Sequence, residues 1–160
     1  MPQHFDRYKS EHEPQDLFSI VADVEKYPGF LPWLSNARII ENHGDWFIAE
    51  LVISFKSFSH KYSSKVILKE PDDKQSFWEI DANLVQGPFK NLYTNWKFRP
   101  IEKGGTEIIF ELDFTFKSII LDRLIGTIFE HAVTKMTSAF IERADKLIED
   151  REKQMENGNA

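Results

Sequence analysis

Residues 108–147 read IIFELDFTFKSIILDRLIGTIFEHAVTKMTSAFIERADKL. Up to Phe116 apolar and polar residues alternate, which is typical of a strand with one buried face. After Ser118, which is suited to cap a helix, the apolar spacing becomes helical and stays so for about seven turns. The segment therefore predicts a strand followed by one long helix. The apolar residues of that helix are Leu121, Leu124, Ile125, Ile128, Ala132, Met136, Ala139, Phe140, Ala144 and Leu147.

The middle of the chain repeats the same strand pattern. Apolar residues occupy every second position in 47–55, 62–68, 78–84 and 92–98, except at Ser64 and Thr94. Short turns rich in Gly, Pro and Asp separate these segments, so we expect antiparallel hairpins. Residues 3–9 and 37–42 bring the count to about seven strands.

Helical patterns lie on both sides of the strands. Residues 14–24 predict a short helix with Pro14 in its first turn, and residues 28–34 are too short and proline-rich for a helix that is stable alone. We therefore expect an α+β domain over 1–148, with the long helix across a curved sheet. From Glu149 the chain is polar, and 149–160 is predicted to be a frayed tail.

Composition restricts the class of protein. The net charge of −6 opposes non-specific attraction of the whole surface to nucleic acid or to anionic lipid. The absence of cysteine excludes disulfides and thiolate metal sites. No apolar run reaches the roughly 18 residues of a membrane span, and no secretory signal is found, so we expect a cytoplasmic protein. Aromatic residues make up 14% of the chain, which suits a thick core or a lined cavity.

Motifs for catalysis are missing from the sequence. The histidines have no metal-ligand spacing, and no nucleophile elbow, phosphate-binding loop or dinucleotide fingerprint occurs. Glu130 and His131 are adjacent on the predicted helix and so do not face each other. We therefore expect no catalytic residues, no metal and no catalytic cofactor.

Residues 27–33, YPGFLPW, combine two prolines with four large apolar side chains. Such a segment either plugs one end of the core or forms a pocket mouth that opens or dips into a membrane interface. A second cluster is 86–90, QGPFK, where parity puts Phe89 and Tyr93 on the strand face opposite Trp96. In a third, 113–119, Phe114 and Phe116 point inward as the floor of a cavity.

Residues 23–33 (DVEKYPGFLPW), 87–90 (GPFK) and 114–121 (FTFKSIIL) together resemble the START-like family of coenzyme Q-binding proteins, which is related to polyketide cyclases and dehydrases. The resemblance extends from Gln3 to about Leu147. It implies a helix-grip fold: a strand, two short helices, six strands and the long helix. It also implies a hydrophobic tunnel that binds ubiquinone (coenzyme Q) or a similar lipid, in support of respiration or quinone biosynthesis.

The resemblance and the strand parity together give a set of ligand-binding residues. Phe30, Leu31, Pro32 and Trp33 form the mouth, and inward strand residues face the start of the long helix across the tunnel. Tyr62 and Trp96 are the candidate hydrogen-bond donors to a headgroup. The remaining members of the set are Leu51, Ile53, Trp78, Phe114, Phe116, Leu121, Leu124, Ile125 and Ile128.

Two alternatives stay open. The family includes ribosome-associated toxins that block subunit joining, and Lys56, Lys61, Lys65 and Lys69 are a candidate basic patch for that role, although a lysine stripe is usually a solvated face. A cyclase-like enzyme is the weaker alternative, because the inward positions are nearly all apolar. Transient partners would be the inner-membrane surface or quinone enzymes, on the bacterial cytoplasmic side or the mitochondrial matrix side.

Overall fold

The computed structural model describes residues 3–55 and 58–158. One strand, two short helices, six strands and two C-terminal helices follow in that order. The strands are β1 Gln3–Ser10, β2 Leu34–Asn42, β3 Trp46–Phe55, β4 Phe58–Lys69, β5 Trp78–Gln86, β6 Phe89–Pro100 and β7 Thr106–Phe116. The helices are α1 Pro14–Ala22, a 3-10 helix Val24–Gly29, α2 Ile119–Thr134 and α3 Met136–Gly158. The predicted α+β helix-grip order is confirmed.

The seven strands form a single antiparallel sheet in the order β1-β7-β6-β5-β4-β3-β2. Strands β2 to β7 are the predicted run of hairpins. β1 joins at the far edge beside β7, and α1 with the 3-10 helix carries the chain back to β2. The two short helices therefore cross one end of the sheet, where α1 buries Leu17, Phe18 and Val21.

The inward face of each strand is the one that alternation predicts. Register shifts interrupt β2 twice, β5 once at Val85 and the start of β6 once, and such bulges bend strands. Fully or nearly fully buried examples on this face are Phe47, Ala49, Leu51, Ile53, Val66, Ile80, Leu92, Trp96, Phe98, Ile108, Phe110, Leu112, Phe114 and Phe116.

Phe89 is a correction to the parity argument. Parity places it on the outer face with Tyr93, yet it is completely buried and stacks on Phe116 with ring centroids 4.8 Å apart. The reason is the register shift between Phe89 and Asn91, which rotates the strand at Lys90.

The prediction of a single long helix is also corrected, because the helix is interrupted at one residue. Lys135 separates α2 from α3, and its N–H bonds to the carbonyl of Ala132, three residues back, at 3.1 Å. Next to it, the Thr134 hydroxyl donates to the His131 carbonyl at 2.6 Å, a local bond that competes with regular helix geometry. The helical apolar stripe therefore continues across a break.

Polar contacts fasten α3 to the start of the chain. The buried Thr137 hydroxyl donates to Asp6 on β1 at 3.1 Å, and His12 bonds to Asp145 at 2.6 Å. Arg151 pairs with Asp16 of α1 at 3.3 Å. From 149 to 157 every α3 side chain is exposed, in helical conformation, and fraying of this tail stays a prediction.

Loss of the cap on α2 provides a test of this helix assignment. The Ser118 hydroxyl accepts bonds from the N–H groups of Ile120 and Leu121 at 3.1 and 3.3 Å. We expect Ser118→Ala to lower the free energy of unfolding by about 1 kcal/mol in urea titrations. Ser19→Ala, which removes an exposed hydroxyl bonded to Gln15 in α1, is the matched control with a smaller effect. Equal losses in both variants would contradict the capping role.

Candidate ligand cavity

A cavity of about 100 Å³ lies between the concave face of the sheet and the helical layer. Strands β3 to β7 contribute one side of it, residues 24–34 a second, and the α2–α3 junction a third. Its lining residues are Val24, Tyr27, Leu31, Trp33, Leu34, Leu51, Ile53, Tyr62, Ser64, Val66, Ile80, Ala82, Leu92, Thr94, Trp96, Phe110, Leu112, Phe129, Met136 and Phe140.

Trp96 organises the aromatic side of the cavity. Its ring lies 4.3 Å from that of Phe110 and 5.0 Å from that of Phe140, measured between centroids. Phe140 in turn meets Tyr27 and Phe30 edge-on, each at 5.0 Å. This chain of rings links β6 and β7 through α3 to the 3-10 helix, and so fixes the wall built by residues 24–34.

The wall itself is held by short-range backbone bonds. The N–H of Leu31 donates to the carbonyl of Tyr27 at 2.8 Å, and that of Leu34 donates to Leu31 at 3.1 Å. The Tyr27 hydroxyl donates to the carbonyl of Val21, which leaves it engaged within the protein. The predicted rigid turn is therefore present, and it turns Leu31 and Trp33 toward the cavity.

Tyr62 is the second tyrosine of the cavity lining. Burial alone raises its pKa well above the ordinary value of 10.0, with no hydrogen bond contributing to the shift. Burial also raises the pKa of Tyr27, helped by the nearby Tyr62 and Asp23. Gly87 packs on Tyr62 so closely that an added Cβ would lie 2.5 Å from the Tyr62 Cβ. The glycine of the 86–90 cluster therefore leaves the space that Tyr62 occupies, and a side chain at this position would displace Tyr62.

The structure brings part of the predicted ligand-binding set together. The members that line the cavity are Leu31, Trp33, Leu51, Ile53, Tyr62 and Trp96. They come from the 24–34 wall and from three strands, and parity placed all the strand members correctly.

Other members lie elsewhere. Phe114 and Phe116 are buried against Phe129, with ring centroids 4.6 and 5.6 Å away. They therefore pack between the sheet and α2 and do not form the cavity floor. Trp78 packs against Phe18 of α1 at 4.9 Å. In the wall, Phe30 is half-buried beside Phe140 and Pro32 is exposed.

None of the four α2 residues in the predicted set lines the cavity. Leu124 and Ile128 are 67% and 41% exposed and do not face the cavity, while Leu121 and Ile125 pack into the core away from it. Phe129, which the stripe omitted, takes their place. Its spacing of four from Ile125 was the available signal.

The remaining lining residues that sequence reasoning missed fall into two groups. Ser64, Val66, Ile80, Ala82, Leu92, Thr94, Phe110 and Leu112 lie on predicted inward faces, but alternation does not say how far along a strand the cavity sits. Val24, Tyr27, Leu34, Met136 and Phe140 sit on flanking elements whose placement depends on tertiary packing.

Two kinds of feature are absent from residues 3–55 and 58–158. Nowhere in these ranges do three or more His, Asp or Glu side chains come together as a group that could hold a metal ion. Among the helices described there, none is both long and apolar enough to cross a membrane.

Comparison with known sequences gives a consistent set of relatives. The profile of a family described as polyketide cyclase / dehydrase and lipid transport matches residues 10–141. The ribosome association toxin RatA of Rickettsia prowazekii is 42% identical over 137 residues, 86% of this chain and 92% of that protein. The mitochondrial coenzyme Q-binding protein COQ10 of Drosophila melanogaster is 28% identical over 131 residues, 80% of this chain and 52% of that protein.

Solved structures share the fold. An 18 kDa protein of Caulobacter crescentus matches with a TM-score of 0.68 at 30% identity, covering 92% of this chain and 98% of that one. The Zhui aromatase/cyclase of a Streptomyces species matches with a TM-score of 0.75 over 92% and 95% of the chains, and at 12% identity shows the fold alone.

The two cavity tyrosines predict contrasting substitutions. At neutral pH we expect Tyr27→Phe to lower the free energy of unfolding by about 1–2 kcal/mol, because the carbonyl of Val21 loses its donor. Tyr62→Phe should cost much less, and urea titration of both variants measures the difference. Equal losses would contradict the distinction between an engaged and an available hydroxyl.

The same residues predict a loss of stability in alkali. Above the ordinary tyrosine pKa of 10.0, the unfolded chain releases protons that folded Tyr27 and Tyr62 retain, so stability is full below that pH and falls as pH rises. Each tyrosine contributes up to about 1.4 kcal/mol per pH unit. The free energy of unfolding, measured from neutral pH to pH 11, should therefore fall less steeply with pH for Tyr62→Phe than for the native chain. Parallel curves for the two proteins would refute this.

Proposed function

This chain belongs to the polyketide cyclase / dehydrase and lipid transport family, and within it we propose that the protein binds a polyprenyl quinone such as ubiquinone, or a similar lipid, without chemical reaction. The observation that carries the proposal is the cavity lining, which is apolar and aromatic except for a few hydroxyl and indole groups. Such a carrier or chaperone would support respiratory electron transport or quinone biosynthesis.

The lining suits the chemistry of this ligand class. An isoprenoid tail gains roughly 25 cal/mol for each Å² of apolar surface removed from water, and the aliphatic and aromatic walls supply that environment. A quinone ring presents carbonyl acceptors, and Tyr62 and Trp96 line the cavity with one donor each. Of the two tyrosines in the lining Tyr62 is the stronger candidate, because the Tyr27 hydroxyl already donates to the carbonyl of Val21.

Ligand entry requires the cavity to widen. Its volume of about 100 Å³ lies below the roughly 300–1,000 Å³ of pockets that hold drug-sized molecules. The walls made by residues 24–33 and by Phe129 do not belong to the hydrogen-bonded sheet, and neither do Met136 and Phe140 of α3. Displacement of either wall would enlarge the space without breaking strand pairing.

The titratable groups of the lining favour binding over catalysis. The described lining residues include no Asp, Glu, His, Lys or Arg, and both tyrosines have pKa values raised by burial. General acid–base catalysis near neutral pH works best with groups whose pKa lies near that pH. These observations support a carrier over the cyclase-like alternative.

Ligand extraction tests the proposal. Protein purified without detergent should release a stoichiometric quinone or lipid into organic solvent, identified by mass spectrometry. Ala82→Phe, which fills the cavity, should abolish recovery, whereas Asn83→Phe puts the same ring on the exposed face of the same strand and should leave recovery unchanged. Equal recovery from both variants, or an empty native protein, would overturn the proposal.

A second candidate function is ribosome association, because the relatives at 42% and 30% identity carry the name ribosome association toxin RatA. Charge gives this candidate less support. Lys61 lies 3.8 Å from Glu50, and Lys69 lies 3.8 Å from Glu79, so carboxylates offset the charge of two members of the predicted basic patch. Lys56, the fourth member of the patch, lies outside the described residues.

Sedimentation distinguishes this candidate. If the chain acts on ribosomes, it should co-sediment with large subunits at physiological salt, and Lys61→Glu with Lys65→Glu should weaken this about ten-fold or more relative to the native chain. The control is Lys103→Glu with Lys146→Glu, which makes the same charge change at exposed positions elsewhere. Absence of co-sedimentation would remove the candidate, and equal effects of the two pairs would show that only total charge matters.

A further inference from the structure

The outer side of α2 is apolar where a surface helix is usually polar. Ile119, Ile120 and Leu124 are 73%, 70% and 67% exposed, and Ile128 is 41% exposed. Ile120, Leu124 and Ile128 follow one another at intervals of four, so they form one continuous stripe. The opposite side of the same helix buries Ile125, Phe129 and Val133. Apolar residues on both sides of a helix indicate that both sides are covered.

Charge near this stripe is positive although the whole chain is acidic. Lys117 precedes the helix and Arg123 lies between Ile120 and Leu124 in sequence, both exposed. Lys90 is also exposed and is close in space, since the Lys117 N–H donates to the carbonyl of Pro88 at 2.9 Å. Asp122 is exposed as well and lies beside Gly126, where an added Cβ would be 2.9 Å from its carboxylate, so three cations and this one carboxylate border the stripe. In a chain with a net charge of −6, this surface presents apolar groups rimmed by cations.

The stripe and the cavity share one helix. Phe129 lines the cavity from α2 and directly follows Ile128, the last residue of the exposed stripe. The two residues point to opposite sides of α2, so this one helix separates the outer surface from the cavity.

We propose that the stripe formed by Ile119, Ile120, Leu124 and Ile128 docks on an anionic lipid surface. Apolar side chains enter the acyl boundary while Lys90, Lys117 and Arg123 pair with phosphate headgroups, the arrangement of an interfacial helix. This inference rests on the proposed lipid-binding function and adds to it the surface from which an apolar ligand would be exchanged. It also assigns the membrane contact to α2 and not to residues 27–33, whose Leu31 and Trp33 are buried.

Vesicle sedimentation of the full chain tests the docking surface. We expect binding to phosphatidylcholine vesicles that contain phosphatidylglycerol and weaker binding to phosphatidylcholine alone. Ile120→Ser with Leu124→Ser should weaken binding about ten-fold or more, because two apolar side chains no longer leave water. The matched control is Ile40→Ser with Met155→Ser, at positions 49% and 64% exposed on β2 and α3, and it should bind as the native chain does.

Several results would overturn the inference. These are no binding to either vesicle, equal loss in both double variants, or binding that does not depend on phosphatidylglycerol. Light scattering tests a second copy of the chain as the occupant. A dimer that Ile120→Ser with Leu124→Ser abolishes, without vesicle binding, would assign the stripe to that copy.

Ligand extraction from this variant separates the two proposals. A loaded cavity without vesicle binding by the native chain refutes the docking surface alone, and an empty native protein refutes the carrier function. Circular dichroism checks that both variants fold.

Discussion

The concave face of the sheet imposes the main constraint on this protein. Strands β3 to β7 turn a continuous layer of aliphatic and aromatic side chains to one side, and each Å² left in water would cost roughly 25 cal/mol. The chain offers α1, residues 24–34, α2 and α3 to cover that layer. Because the face is curved by bulges, a single straight helix would not follow it, and the break at Lys135 allows α2 and α3 to cover different parts.

Two groups of aromatic rings divide the covered region. Phe129 sits on Phe89, Phe114 and Phe116 at one end, and Trp96, Phe110, Phe140 and Tyr27 form a chain of rings at the other. Large flat side chains pack well edge to face but leave gaps where several meet at fixed angles. The cavity lies between the two groups, so it results from how the core is filled and not from a shortage of apolar residues.

The sequence predicted the architecture well because alternation and helical spacing are local signals. Parity placed Leu51, Ile53, Tyr62 and Trp96 correctly, and the motif at 27–33 located a cavity wall. It failed at Phe89, where a bulge changes the parity, and at Leu124 and Ile128, because the single predicted apolar stripe is wider than the buried side of α2. The position of the cavity along each strand depends on which rings meet across the core. That is a tertiary property with no local pattern, and so Phe129 and Phe140 were missed as lining residues.

The contrast between α2 and α3 has a mechanical consequence. α3 is fixed by hydrogen bonds and ion pairs from Thr137, Asp145 and Arg151, which depend steeply on direction and distance. α2 is held on the sheet by apolar packing around Phe129, which has no preferred direction. The enclosure therefore has one stiff wall and one compliant wall. For the lipid ligand proposed above, a stiff Trp96–Phe140 side would keep a constant shape for the headgroup, while a compliant Phe129 side would let the capacity of the cavity vary with the bulk of the tail.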